Sequence, residues 1–498
     1  TLALVIGLRY IEFIFEEDYR YVRLGWGDRG VDVGGNIDWF DAVSRTGFTM
    51  QHTITVNGGN EKSNYRVSAD YRKANGIDLR SGREEYGARA SVMHTTKGGL
   101  FTINLNVAPR IIYRDQADWS VFKDALEANP TTPLMNPENP AQYYNFFGQI
   151  AGSNPVERQL LEKDHGDTKL LDWDGTLKLN LLPLLAKGGV SNHRLSTQIM
   201  FADHQYDNNN TYFRPSTSTS SINDGHDGVA SRSYSKERQF IVEWLTNYST
   251  TIAEKHNIKA MAGYSYQYSQ YSGLNAENKD FPNDGLGADN LGSGEWAKEE
   301  GEVMMGSYKN DAKLISFFGR VSYDYEGKYL FTASLRHEGS SKFGQNHKWG
   351  DFPAVSAGWR ISQENFMRGI EWINDLKIRA DYGVTGNQDF GSYLSINTMS
   401  GFGYYYYNGK YFQVWGPGKN VNPDLKWEKG KNWNVGIDFS VLNNRIYGSL
   451  NYFNRRQQDL LGNYKVSVPP NIHDETFVNV GTMKNTCFEF DLNFNVVN

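Results

Sequence analysis

Tyr404, Tyr405, Tyr406 and Tyr407, followed by Tyr411, Phe412 and Trp415, crowd seven aromatic rings into the stretch 404–415. Rings at this density, between Gly386 and about Asp424 where no strand pattern is legible, either stack on sugar rings or pack against another loop or protein surface. Trp296 is a further candidate for ligand contact, in the irregular stretch Gly273 to Tyr308. Bond-breaking chemistry has little support. The ten histidines are scattered, none pairs with another four residues on, and no HExxH is present, so a helical zinc site is not predicted. A P-loop and a G-x-S-x-G nucleophile elbow are both absent. Asp207 to Asn210 and Asn275 to Asp284 read as oxygen-rich loops that offer ligands to Ca²⁺, yet neither has EF-hand spacing, so no cofactor is expected.

The elements that must position these residues are strands. From Ile315 to Tyr325, the residues Ile315, Phe317, Gly319, Val321, Tyr323 and Tyr325 share one face, and Ser316, Phe318, Arg320, Ser322 and Asp324 share the other. The same period of two recurs in Tyr65 to Arg72, Phe101 to Val107, Tyr329 to Glu338 and Thr486 to Val497. Gly- and Asn-rich turns at 58–60, 97–99, 326–328 and 442–444 join neighbouring runs. Roughly 15 or 16 strands are predicted, with short turns alternating with long loops. The long loops are Asp115–Asp167, Tyr206–Gly228, Gly273–Tyr308 and Gly386–Asp424. No fixed-period repeat divides the chain, which argues against a propeller or solenoid.

Composition narrows the class. The 498 residues include 51 basic and 57 acidic side chains, for a net charge of -6, too balanced to predict a nucleic-acid partner. Mean hydropathy is -0.60, and no run of about 20 apolar residues offers a transmembrane helix. With one cysteine, Cys487, no intrachain disulfide can form. Tyr, Phe and Trp together reach 14%, which suits membrane interfaces and carbohydrate contact alike.

Which way the apolar faces point decides the function class. The polar faces carry charge in mid-strand at Arg66, Asp70, Arg320, Asp324, Arg336, Asp438 and Asp491, as a watery lumen allows. Aromatic residues at Tyr323, Tyr325, Tyr329, Trp359, Trp427, Trp433 and Tyr452 suit the girdles of a bilayer-spanning barrel. The predicted fold is therefore all-β, an antiparallel transmembrane β-barrel with its apolar face on lipid. Two alternatives stay open: a plug-free diffusion porin of about 16 strands, and a soluble β-rich glycan-binding module with a dry core.

Longer strings sharpen this. Leu314 to Arg336, Gly339 to Gly344, Trp349 to Ser362, Leu376 to Gln388, Asn422 to Glu428 and Asn479 to Lys484 resemble the SusC/RagA family of TonB-dependent outer-membrane transporters. Asp38 to Val43 and Val56 to Lys62 are similar to that family's approach to its first strands. The resemblance implies a barrel of about 22 strands closed by a plug, in the bacterial outer membrane. It also implies a SusD-like surface lipoprotein as lid, energy delivered by the TonB complex, and oligosaccharides or peptides as cargo. No enzymatic step is implied. The expected organisation is an unassigned segment at 1–37 and a partial barrel over 38–498, with the plug, the TonB-contacting region and roughly six strands lying elsewhere. Cys487 stands where the family pattern suggests Gly.

Overall fold

The computed structural model describes residues 35–148, 152–181, 192–298 and 304–495. The expected N-terminal segment lies almost wholly outside the described residues. Period-two runs rich in Tyr, Phe, Val and Ile become strands because the branched and aromatic side chains fit a pleated surface. The first half holds β1 (Thr49–Gly59), β2 (Ser63–Asn75), β3 (Gly82–Thr95), β4 (Phe101–Asp115), β5 (Lys163–Asn180), β6 (His193–Arg214), β7 (Val229–Ile252) and β8 (His256–Lys279). Then come β9 (Met305–Tyr325), β10 (Tyr329–Ser340), β11 (Trp349–Arg360), β12 (Ile373–Asn387), β13 (Met399–Tyr407) and β14 (Lys410–Pro417). The last are β15 (Glu428–Val441), β16 (Ile446–Gln458), β17 (Leu461–Lys465), β18 (Glu475–Asn479) and β19 (Thr482–Phe494).

Fifteen strands form one antiparallel sheet in the order β1 to β12, β15, β16, β19. Among the described residues β1 and β19 are not paired with each other. A barrel closed within these residues, as the porin alternative requires, needs that pairing. The pairs β13–β14 and β17–β18 are separate two-stranded hairpins inside the connections 388–427 and 459–481. Connections switch ends at every strand. At one end lie 60–62, 96–100, 181–192, 253–255, 326–328, 361–372 and 442–445; at the other lie 76–81, 116–162, 215–228, 280–304, 341–348, 388–427 and 459–481, and the longest all belong to this second set. Short turns face the periplasm in such barrels and long loops face outside, which sets the orientation used below. At 326–328, Glu326 and Gly327 take φ of 52° and 68°, the left-handed pair that matches the strand twist of a tight hairpin and that Gly adopts without a Cβ clash.

The register fixes the faces. On β9, Phe317 and Val321 share a face with Phe331 and Leu335 of β10, and all four are exposed. Ile54 on β1 is 72% exposed and Phe331 is 45% exposed. These apolar side chains do not pack against one another in a dry core, which a soluble module requires; they face outward, where a bilayer would lie. Aromatic contacts edge the belt. Toward the outside, His52, Tyr71, Tyr86, Tyr113 and His165 run ring to ring across five strands. Phe317, Trp349 and His337 continue this rim. Toward the periplasm, His256 meets Tyr323 and Tyr325, and Tyr325 meets Tyr329. Phe317 and Tyr325 are eight positions apart, roughly 26 Å along the strand, close to the apolar band of about 25 Å expected of a barrel.

Three expectations need correction. Trp427 is no girdle residue: it is 3% exposed, with its ring against Phe343 and Phe352 and its Nε1 donating to the Lys348 carbonyl at 3.0 Å. The loops expected at Tyr206–Gly228 and Gly273–Tyr308 are shorter, because β6 runs on to Arg214, β7 starts at Val229, β8 reaches Lys279 and β9 starts at Met305. Asp207 to Asn210 therefore lie within β6, paired to β5 and β7, and Asn275 to Lys279 lie within β8. Above the lipid both faces of a strand are wet, so apolar-polar alternation fades while the ladder continues. On the outward face of this upper part, Asp203 pairs with Arg238 and Asp207 with Lys236. Finally, the run read from Thr486 opens earlier, because β19 starts at Thr482.

Candidate functional site

The inward face of the sheet is polar from β1 to β19. Arg66, Asp70, Arg320, Asp324, Arg336, Asp438 and Asp491 all fall on it, opposite in parity to the outward belt. Register brings them to partners that the linear sequence does not show. Glu85 accepts from Arg110 Nη1 at 2.7 Å and stands 2.6 Å from Arg83 Nε, with Arg72 3.5 Å away. Arg110 also reaches Asp70 at 3.2 Å. Farther round, Arg336 donates to Glu338 at 2.7 Å and to Ser316 Oγ at 2.7 Å. Arg379 Nε lies 3.1 Å from both Asp438 oxygens, and its Nη2 donates to Asn451. Ladders of this kind hold long side chains flat against the wall and leave a polar surface.

Among the described residues, buried apolar side chains gather in three clusters, all at the extracellular end. One joins Trp39 and Val43 to Val121, Ala125, Phe146 and Val156; a second joins Phe343, Phe352, Leu425 and Trp427; a third joins Phe213, Ala230 and Phe281. The first is built by helices α1 (Trp39–Ala42), α2 (Ser120–Glu127) and α3 (Pro155–Leu161). Asp38 starts α1 by accepting from Phe40 N and Asp41 N, and Asn154 starts α3 by accepting from Val156 N and Glu157 N. Glu157 then ties this loop to the next one: it accepts from Thr219 N at 2.6 Å and from Thr219 Oγ1, at the start of α4 (Thr219–Asp224). Burial pushes the Glu157 carboxyl above its ordinary range, and the Thr219 hydrogen bonds pull the other way. Sequence reading missed this pin, because nothing local marks Glu157 as buried.

Seven of the eight candidate contact residues come together on one element. Tyr404, Tyr405, Tyr406, Tyr407, Tyr411, Phe412 and Trp415 lie on the β13–β14 hairpin, not in irregular loop. Tyr405 opposes Phe412 and stacks near Tyr407, while Tyr406 opposes Tyr411 with ring centres 5.0 Å apart. Both faces are therefore aromatic, and all seven rings are exposed, Tyr404 at 69%. The hairpin is anchored at its base, where Phe402 meets His473 and His473 Nε2 lies 2.9 Å from the Pro417 carbonyl. Trp296 stands apart from it. It is half-buried, with the Lys279 ammonium 4.6 Å over its ring and His226 edge-on, and no described contact joins it to the hairpin. Among the described residues no group of three or more His, Cys, Asp and Glu is placed to hold a metal ion.

Comparison with known proteins agrees with this geometry. The family described as "TonB dependent receptor-like, beta-barrel" matches residues 113–498. The TonB-dependent receptor SusC of Bacteroides thetaiotaomicron is 28% identical over a 516-residue alignment, covering 96% of this chain and 48% of that protein. A TonB-dependent receptor of Formosa agariphila is 30% identical over 465 residues, covering 92% of this chain and 41% of that one. The chain thus spans about half the length of the curated relatives it matches. Among solved structures, the RagAB peptide importer in its closed-closed state superposes with a TM-score of 0.79 at 20% identity, covering 94% of this chain and 50% of that chain. The SusC/RagA resemblance carried by the strings from Leu314 onward is borne out by these relatives. With its lipid-facing belt, hydrated wall and matching relatives, this chain belongs to the TonB-dependent receptor-like β-barrel family of the bacterial outer membrane.

Proposed function

We propose that the chain forms the barrel wall of an importer that moves oligosaccharides or peptides inward, capped by a SusD-like surface lipoprotein and energised through TonB. The observation that carries this is the two-solvent sheet: exposed apolar rings outside, and inside an ion-paired wall from Glu85–Arg110 to Arg379–Asp438. The resemblance to the SusC/RagA family implies these cargo classes, and the similarity to the RagAB peptide importer supports the second of them. In this reading the β13–β14 aromatics meet cargo or lid, and Trp296 contributes less because Lys279 covers one face of its ring. The work is passage of substrate, not bond chemistry.

The test is made in cells that carry the complete gene. The protein should fractionate with the outer membrane, need detergent for extraction, co-purify with a surface lipoprotein, and support uptake of a labelled glycan or peptide only when TonB is present. Extraction without detergent, or uptake that persists without TonB, overturns the proposal.

A further inference from the structure

Several luminal arginines described above stand beside a carboxylate; the stretch of wall near the periplasmic ends of β5 to β9 does not follow that pattern. Near the periplasmic end, a concavity of about 530 Å³ is lined by Lys178, Arg194, Lys259 and Arg320, together with Asn180, Ser196, Asn247, Ser249, Met261 and Ser322. No Asp or Glu is in that lining. The register puts all four cations on the inward face, with Lys178 opposite Gln198, four positions along β6 from Arg194. Arg194 opposes Ser249, Ser249 opposes Lys259, and Lys259 opposes Ser322, so Arg194 and Lys259 are two strands, about 10 Å, apart. Arg320 opposes Met261, one inward position along.

None of the four makes an ion pair among the described residues. The nearest luminal carboxylates are engaged elsewhere or set back. Asp174 accepts from Asn106, and Asp324 accepts from Asn257 and the Gly327 N–H. Asp324 lines the adjoining concavity, which shares Lys259 and Ser322. Glu243 lies on the inward face four residues from Asn247 and outside the lining. Residues 182–191, which follow β5 and precede β6 in sequence, lie outside the described residues and carry no Asp or Glu.

A group of unpaired cations in a concave wall focuses positive potential, and Lys and Arg hold carboxylates by charge-assisted hydrogen bonds. Hydroxyl and amide side chains between them (Ser196, Ser249, Ser322, Asn180, Asn247) add neutral donors at strand spacing. We infer that this stretch is a carboxylate-binding subsite for cargo on its way to the periplasm, so that the transported class includes acidic members, either uronic-acid oligosaccharides or Asp- and Glu-bearing peptides. This rests on the importer reading above.

The test uses the full-length protein in detergent and in cells. Trigalacturonate and a Glu-containing hexapeptide are the anionic probes; maltotriose and a Gly/Ser hexapeptide are the neutral ones. At least one anionic probe should bind about tenfold or more tightly than its neutral counterpart, and that preference should shrink at about 1 M salt. Combined Lys178→Gln, Arg194→Gln, Lys259→Gln and Arg320→Gln should bring the two affinities together and leave neutral binding unchanged. The charge-preserving pair Arg194→Lys with Lys259→Arg should retain the preference. The inference fails if wild-type protein shows no anionic preference or a salt-independent one. It also fails if the neutralised variant loses acidic and neutral probes alike, which would mark the cations as holding a protein segment. Should the neutralised variant not fold, the wild-type salt series decides. TonB-dependent uptake of a neutral probe without anionic preference sinks only the subsite; absence of any TonB-dependent uptake sinks the importer reading itself.

Discussion

Glu157 is 2% exposed, and its carboxylate is served by a single residue of the neighbouring loop, Thr219. Thr219→Val keeps the backbone donor and deletes the hydroxyl, which should cost about 1–3 kcal/mol of loop docking. Hydrogen exchange would report it as faster exchange over 155–161 and 219–224, with the strands unchanged. Acidity should act in the opposite sense. The folded-state pKa of Glu157 is raised above the usual 4.5, chiefly by burial, so the folded form holds its proton more firmly than the unfolded form. The stabilisation is complete below 4.5 and drains away as pH rises through the raised value. Glu162, raised by burial against the pull of Arg158, carries the same sign. Limited proteolysis of these loops should therefore slow on acidification from neutral pH, and Glu157→Gln should flatten that dependence while leaving the Glu162 share. Faster cleavage on acidification would contradict this account.

At the scale of strands and hairpins, parity rules. Phe331 points outward and Thr332 inward. Phe331→Arg puts a charge on hydrocarbon and should destabilise by about 2–4 kcal/mol, whereas Thr332→Arg meets water and should cost well under 1 kcal/mol; urea midpoints in lipid vesicles separate them. Equal midpoints would mean the faces are assigned wrongly. The β13–β14 hairpin stands clear of the wall, so Tyr404→Ser, Tyr406→Ser and Tyr411→Ser should leave heat-modifiable migration on gels intact. Each should weaken cargo or lid association by about 1–2 kcal/mol.

The belt and turns were legible in sequence because one face met oil and the other water. The upper parts of β6, β7 and β8 were not, since residues such as Asp207 and Asn208 sit in a ladder whose two faces are both polar. Trp427 misled because a tryptophan at a strand end reads the same whether it meets lipid or a loop core; only Phe343 and Phe352, far apart in the chain, decide it. The aromatic candidates were found by density, but their hairpin pairing was hidden by Gly401 and Gly403 beside a register shift. The Glu85–Arg110 and Arg379–Asp438 pairs, at separations of 25 and 59 residues, needed the register itself.

For the molecule as a whole, the inside should be wet and the outside greasy. With Cys487 replaced by Ser, a membrane-impermeant maleimide applied to opened outer-membrane vesicles should label Ser322→Cys quickly. It should barely touch Val321→Cys, the next residue along. Reversed labelling would turn the sheet inside out and remove the transport reading. The strict swap of solvent between adjacent residues also constrains how such a chain can change over generations. Dropping a single codon from the middle of β9 would send every later side chain of that strand to the wrong medium, so the middle of the wall changes length most easily two residues at a time; the one-residue offset of β12, at Asn374, sits at the periplasmic end of that strand. Odd-numbered gains and losses must collect where neither solvent is enforced, in stretches such as 116–162 and 388–427, and there new specificities can arise without disturbing the wall.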